Sequence, residues 1–213
     1  MDTLQAWKER LETWFGANHD SSDGAHDLSH FRRVWRTAQE LNEAEGRPAD
    51  ALVLLAAAYL HDVVALPKSH PERHTSSRLA AAEAERILRG MGFPEEKLAL
   101  VQHAIEAHSF SARIAATTPE AKIIQDADRM EALGAIGIAR VFYTSGRMQR
   151  AMFHPEDPLG KARQLDDVAY GLDHFFVKLY SLVDSMQTAA GRSMALRRRQ
   201  VLERYVEDLL GEL

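Results

Sequence analysis

The chain has no cysteine. That excludes a disulfide scaffold, a thiol nucleophile and thiolate-held zinc together, and it fits a cytoplasmic protein. Glycine and proline are sparse, 12 and 7 in 213 residues, so collagen-like and low-complexity architectures are excluded. Long hydrophobic runs are missing too. The longest, Ala51–Leu60, is about half of the roughly 20 residues that a bilayer-crossing helix needs. The opening MDTLQAWKERLETWF mixes both charges with apolar residues and has no signal-peptide core. Lys and Arg total 26 against 31 Asp and Glu, a net charge of −5, so the basic footprint of a nucleic-acid binder is absent. Neither a nucleic-acid nor a membrane partner is expected. Apolar residues at 46% and charged residues at 27% exclude disorder and describe a globular chain.

What is present is helix. The chain carries 32 Ala against 26 Val, Ile and Thr combined, and Ala favours helices where β-branched residues favour strands. No segment alternates with period two between hairpin turns. Asp27 and Ser29 can cap a helix that runs to Gly46, and Pro48 opens the next. Breaks of this kind predict about nine helices, near residues 2–18, 28–45, 49–66, 75–90, 94–108, 119–132, 134–146, 166–190 and 192–211. The expected fold is an all-α helical bundle in a single domain over 1–213, its core near 20–146 and a C-terminal helical extension over about 150–213. The weakest seam is the Pro- and Gly-bearing stretch His154–Gly160.

Several polar residues fall on apolar helix faces. His30 shares a stripe with Val34, Ala38 and Leu41. The apolar face of Leu52, Leu55, Ala56, Tyr59, Leu60 and Val63 runs into His61 and Asp62. His108 follows Val101 and Ile105 at helical spacing, and Asp128 follows Ile124. A buried carboxylate needs a partner, and histidines with carboxylates make a first shell for a divalent metal. Each residue alone has a plainer reading, as a satisfied core histidine, a helix cap, or an Asp that fixes an imidazole tautomer. His-Asp pairs also occur at His19-Asp20 and His26-Asp27, where a cap or turn suffices. Only the combination points to a metal.

The order of His30 in AHDLSHFRRVW, His61-Asp62 in AAAYLHDVVAL and Asp128 in KIIQDADRMEALGAIGIAR resembles the HD-domain superfamily of metal-dependent phosphohydrolases. The strings KSHPERHTSS, HAIEAHSFSA and LDHFFVKLYSLVDSMQTAAG are similar to its YedJ/YpgQ-like bacterial branch, along essentially the whole chain. The resemblance implies an HD-domain helical fold and a divalent ion held by His30, His61, Asp62 and Asp128. Asp126 is the rival to Asp128, but the family's ligand is the Asp followed directly by Arg. Extra histidines between the pair and the last Asp hold a second ion in two-metal relatives, so His103 and His108 are candidates for a second metal, the second shell or the substrate. Deoxymonophosphatases of this superfamily carry a Glu three residues after the His-Asp pair; here that position is Ala65.

The implied activity is hydrolysis of nucleoside triphosphates to monophosphate and pyrophosphate. The alternatives are a guanosine alarmone such as ppGpp, a nucleoside monophosphate, or a metal-binding regulatory module without catalysis. Mixed nitrogen and oxygen ligation favours Mn²⁺, with Mg²⁺, Fe²⁺, Co²⁺, Ni²⁺ and Zn²⁺ as the other ions. Cations must hold the remaining phosphates, and the candidates are Arg33, Lys68, Arg73 and Arg129. Arg33 and Arg129 have an alternative role in orienting the ligating carboxylates, and Lys68 and Arg73 as solvated loop charges. The only partner expected is a small-molecule nucleotide. The sequence leaves the oligomeric state open.

Overall fold

The protein is described by a computed structural model that covers residues 3–18, 27–66 and 70–213. It bears out the all-α expectation. The helices are α1 (Leu4–Asn18), α2 (Leu28–Ala44), α3 (Ala51–Leu60), α4 (Ser76–Gly90), α5 (Glu95–His108), α6 (Pro119–Arg129), α7 (Gly134–Arg147) and α8 (Ala189–Glu212), with short 3-10 and π turns between them. Among the described residues no helix is long and apolar enough to cross a membrane. The chain divides into two compact units, Met1–Asp128 and Arg129–Leu213.

In the first unit α3 is the axis. Every residue from Val53 to Leu60 is buried, so this helix is covered all round rather than on one face. Its start is set by Asp50, whose carboxylate accepts the Leu52 and Val53 N–H groups at 2.8 and 3.2 Å and pairs with Lys97 of α5. The Asp50 N–H donates to Glu120 of α6 at 2.9 Å. Around α3, α1 buries Trp7, Leu11 and Phe15 at i, i+4 and i+8, and α2 buries Phe31, Val34, Ala38 and Leu41. Each of the larger apolar side chains contributes about 1.5–3 kcal/mol by leaving water.

The helix expected to reach residue 66 stops at Leu60, with His61 as its C-cap donating its N–H to Ala57 O. The cause lies downstream. Ser76 Oγ, at the start of α4, accepts the Leu66 N–H at 2.9 Å and donates to Val64 O at 3.3 Å. Arg73 Nη1 donates to Leu66 O at 2.5 Å. These bonds engage backbone groups that a helix would otherwise use, so the chain turns at His61-Asp62.

The second unit packs Met130, Leu133, Leu172, Phe175, Leu179, Leu202 and Val206 into one core. Gly134 enters α7 at φ +70°, and a Cβ on Gly137 would collide with the Ala132 backbone, so both positions require glycine. The single helix expected over 166–190 is not formed. Asp166 folds its carboxylate onto the Val168 and Ala169 N–H groups at 2.9 and 3.1 Å, and buried Asp173 takes a two-pronged bond from Arg163 at 2.6 and 2.7 Å. Local side-chain bonds of this kind compete with helix. Only a π turn, Phe175–Leu179, and a 3-10 turn, Tyr180–Ser185, follow before Thr188 caps α8.

One polar cluster ties α1 to α2 and α3. Glu12 accepts from Arg32 at 2.7 and 2.9 Å and from the hydroxyl of buried Tyr59 at 2.6 Å. The Arg32 guanidinium, aided by Tyr59 and opposed by burial, holds the Glu12 carboxyl at about 2, below its ordinary 4.5. A depressed carboxylate stabilises the fold above its ordinary value, and that contribution is lost as pH falls through the folded value. Glu12→Gln is expected to cost about 1 kcal/mol at neutral pH, because one acceptor oxygen and the charge that strengthens the Arg32 and Tyr59 bonds are lost. It should also flatten the acid limb of stability between pH 4.5 and about 2. Urea unfolding at pH 7 and pH 3 measures both; an unchanged midpoint at pH 7 would show that this cluster does not hold α1.

Candidate metal centre

Four helix ends in the first unit deliver side chains to one point. His30 sits in the first turn of α2, where the capping Asp27 carboxylate accepts its N–H at 2.9 Å. His61 closes α3 and Asp62 follows it; His108 is the last residue of α5, and Asp128 the second-last of α6. His30 and His61 are fully buried and His108 nearly so, while the side chains of Asp62 and Asp128 keep 24% and 28% exposure. The imidazoles are therefore dry, and the carboxylates reach solvent, where a ligand can approach.

The ring atoms converge. His30 Nε2 and His61 Nε2 are 3.2 Å apart, and Asp128 Oδ1 lies 3.8 and 3.6 Å from them. Asp62 bridges two rings, with Oδ2 3.5 Å from His61 Nε2 and Oδ1 3.5 Å from His108 Nε2. The helices also set the tautomers. His61 Nδ1 lies 3.0 Å from Ala58 O and His108 Nδ1 2.5 Å from Ile105 O. A carbonyl only accepts, so each Nδ1 carries the proton, and in the neutral ring Nε2 turns a lone pair inward.

Two groups of three, His30–His61–Asp128 and His61–Asp62–His108, each have donor atoms within 4.8 Å of one another, and they share His61. Adjacent donors bound at about 2.1 Å to one ion stand about 3 Å apart, close to these separations. Three imidazole nitrogens and two carboxylates suit a first-row divalent ion, so the residues fit the metal that the sequence implied.

His30, His61, Asp62 and Asp128 are thus brought together, and His108 joins them. Asp126 is buried but belongs to neither group. His103 stands apart, its Nε2 accepting the Thr117 N–H at 3.1 Å and meeting Thr117 Oγ1 at 2.9 Å, which closes the loop before α6. Arg73 donates to the Leu66 carbonyl, and Arg129 Nη1 to the Ser185 carbonyl at 2.5 Å in the second unit. Arg33 lies one turn after His30 and lines a groove of about 410 Å³ with Lys8, Ser29, Arg32 and Arg36. Lys68 lies outside the described residues. Two supporting side chains were missed from sequence. Ser76 gave no signal. Gln125 did give one, as a polar residue beside Ala121 and Ile124, three before Asp128.

In the metal-free protein burial opposes a charge on His61, but Asp62 and Asp128 outweigh it and push the ring up to about 9 from 6.5. Against the cost of desolvation, the bond and the charge of His61 hold the Asp128 carboxyl well below its ordinary 3.8. A raised histidine stabilises the fold fully below its unfolded value and loses that contribution as pH rises through the folded one. Metal-free protein is therefore expected to lose thermal stability between pH 6.5 and about 9, a loss absent from metal-loaded protein. An ion must displace the same proton, so Mn²⁺ affinity should rise up to about tenfold per pH unit across that window. Calorimetry in buffers of differing ionisation enthalpy reads the released proton; pH-independent binding would show that His61 is not displaced.

Comparison with known proteins agrees with the geometry. The HD-domain family matches residues 27–133, a segment that begins at the α2 cap and contains all five clustered side chains. YpgQ of Bacillus subtilis, itself uncharacterised, is 32% identical over 207 residues, covering 94% of this chain and 91% of that protein. Its crystal structure in complex with ADP superposes with a TM-score of 0.74 at 32% identity, covering 97% of both chains. An HD-superfamily hydrolase from Bacillus thuringiensis gives 0.73 at 30% identity, covering 99% of this chain and 98% of that one. With the family's segment spanning the cluster and two relatives matching nearly end to end, the chain belongs to the HD-domain family and is a metal-dependent phosphohydrolase.

Proposed function

We propose that this enzyme hydrolyses nucleoside triphosphates to the monophosphate and pyrophosphate, with a divalent ion, Mn²⁺ by preference, held by His30, His61, Asp62 and Asp128. The observation that carries the reading is the convergence of two buried, tautomer-fixed imidazoles on two solvent-reaching carboxylates. Neutral rings and two carboxylates balance a divalent charge, so the site admits an anionic substrate instead of repelling it. Held by His30, His61, Asp62 and Asp128, the ion would supply Lewis acidity, lowering the pKa of a water and offsetting charge on a phosphoryl oxygen. The Nδ1 bonds of His61 and His108 keep their Nε2 atoms turned inward. In the overall reaction water adds to the α-phosphorus, the α–β bridge breaks, and pyrophosphate leaves.

Two features bear on the substrate. The relative YpgQ was crystallised with ADP, which supports a nucleotide ligand. Ala65 stands where deoxymonophosphatases of the superfamily carry a glutamate. Arg33 and Lys68 are the cations proposed for the distal phosphates.

Chromatography of a nucleotide panel with Mn²⁺, with and without chelator, is expected to show monophosphate and pyrophosphate from triphosphates and no turnover once the ion is removed. Conversion of monophosphates to nucleosides, with triphosphates untouched, would overturn the choice of bond. Asp62→Ala is expected to lower turnover by at least about a hundredfold and to weaken Mn²⁺ binding. If Asp62 served only as a cap, the loss would be about 1 kcal/mol of stability with activity intact; turnover and Tm measured together separate the two.

A further inference from the structure

The end of α5 carries a second anchor for the cluster. The helix stops at His108 because Ser109 turns extended, at φ −74° and ψ 126°, so its last carbonyls lose their partners in the next turn. Side chains take their place. Ile105 O receives His108 Nδ1, and Ala107 O receives Nε2 of Gln125 at 2.6 Å. Since a carbonyl only accepts, the amide must present its NH₂ end to Ala107.

Gln125 stands on α6 three residues before Asp128, so the two share a face. It is 5% exposed, and its Oε1 is buried with no hydrogen-bond partner among the described residues. A buried acceptor left unpaired is costly, and an apolar residue of similar size would fill the space without that cost. The amide is thus placed for its donor, and the donor goes to the carbonyl adjacent to His108.

We propose that Gln125 is a positioning residue of the metal centre: by clamping Ala107 O it fixes the last turn of α5 against the helix that carries Asp128, and so holds His108 Nε2 in place beside Asp62. The proposal rests on the metal reading above and adds His108 to the groups that determine how tightly the ion is held. Gln125 touches neither substrate nor ion; it acts through His108.

The test is Mn²⁺ titration followed by electron paramagnetic resonance on wild type, Gln125→Met, His108→Ala and the double variant. Gln125→Met keeps the length and removes the donor. It is expected to weaken Mn²⁺ binding by about tenfold or more, the range seen when the support of a ligand is removed, with far-UV circular dichroism unchanged. In the His108→Ala background the same substitution is expected to change affinity less than twofold, because the residue through which Gln125 acts is gone. Equal losses in both backgrounds would overturn the proposal, and so would wild-type affinity in Gln125→Met. If Gln125→Met fails to fold, Gln125→Asn, which keeps an amide one methylene too short to reach Ala107, carries the same expectation. Absence of Mn²⁺ binding by wild type would instead overturn the metal reading itself, so the two failures are distinct.

Discussion

A buried imidazole between two carboxylates, His61 against Asp62 and Asp128, governs the arrangement of the first unit. Charges taken from water must be balanced where they lie. The bonds that hold His61 and His108 through Nδ1 leave no freedom to turn Nε2 elsewhere. The cluster therefore suits a cation, and the bonds that fix its helix ends supply the geometry to hold one.

That geometry comes from helix ends rather than helix faces. His30 begins α2, His61 ends α3, His108 ends α5 and Asp128 falls in the last turn of α6. Ends carry unpaired backbone groups, and several are used here. Asp27 and Asp50 cap their N-termini, ring N–H groups satisfy carbonyls within one turn, and Gln125 satisfies Ala107. The same bonds that terminate the helices aim the side chains. The apolar wall of α3 keeps the rings dry, which strengthens every electrostatic interaction among them.

The second unit is organised differently. Its central polar element, Arg163 with Asp173, shapes a segment with little regular structure. Asp173 also accepts the Asp166 N–H at 2.6 Å, and Arg163 lies over the Tyr170 ring at 4.8 Å. A buried ion pair of this kind specifies a conformation more than it stabilises one. Here it takes the place of the helix that periodicity alone suggests.

Helix class and approximate position followed from local physics: alanine content, caps at Asp27 and Ser29, and apolar stripes with a period near 3.6. The polar intruders on those stripes, His30, His61, Asp62, His108 and Asp128, were legible because a charge in an apolar row has few explanations. Other features depend on partners distant in the chain. α3 stops at Leu60 because Ser76 and Arg73 reach back to Val64 and Leu66. The Arg163–Asp173 bond removed the expected helix at 166. His103 and His108 stand five residues apart on one helix, and 100° of rotation per residue puts them on different faces. What each face meets, Thr117 for one and Asp62 for the other, is decided by the fold. Sequence alone determined which residues are costly to bury, since that is a property of each side chain; only the fold decided which of them meet, since that depends on where helices end and what lies across from them.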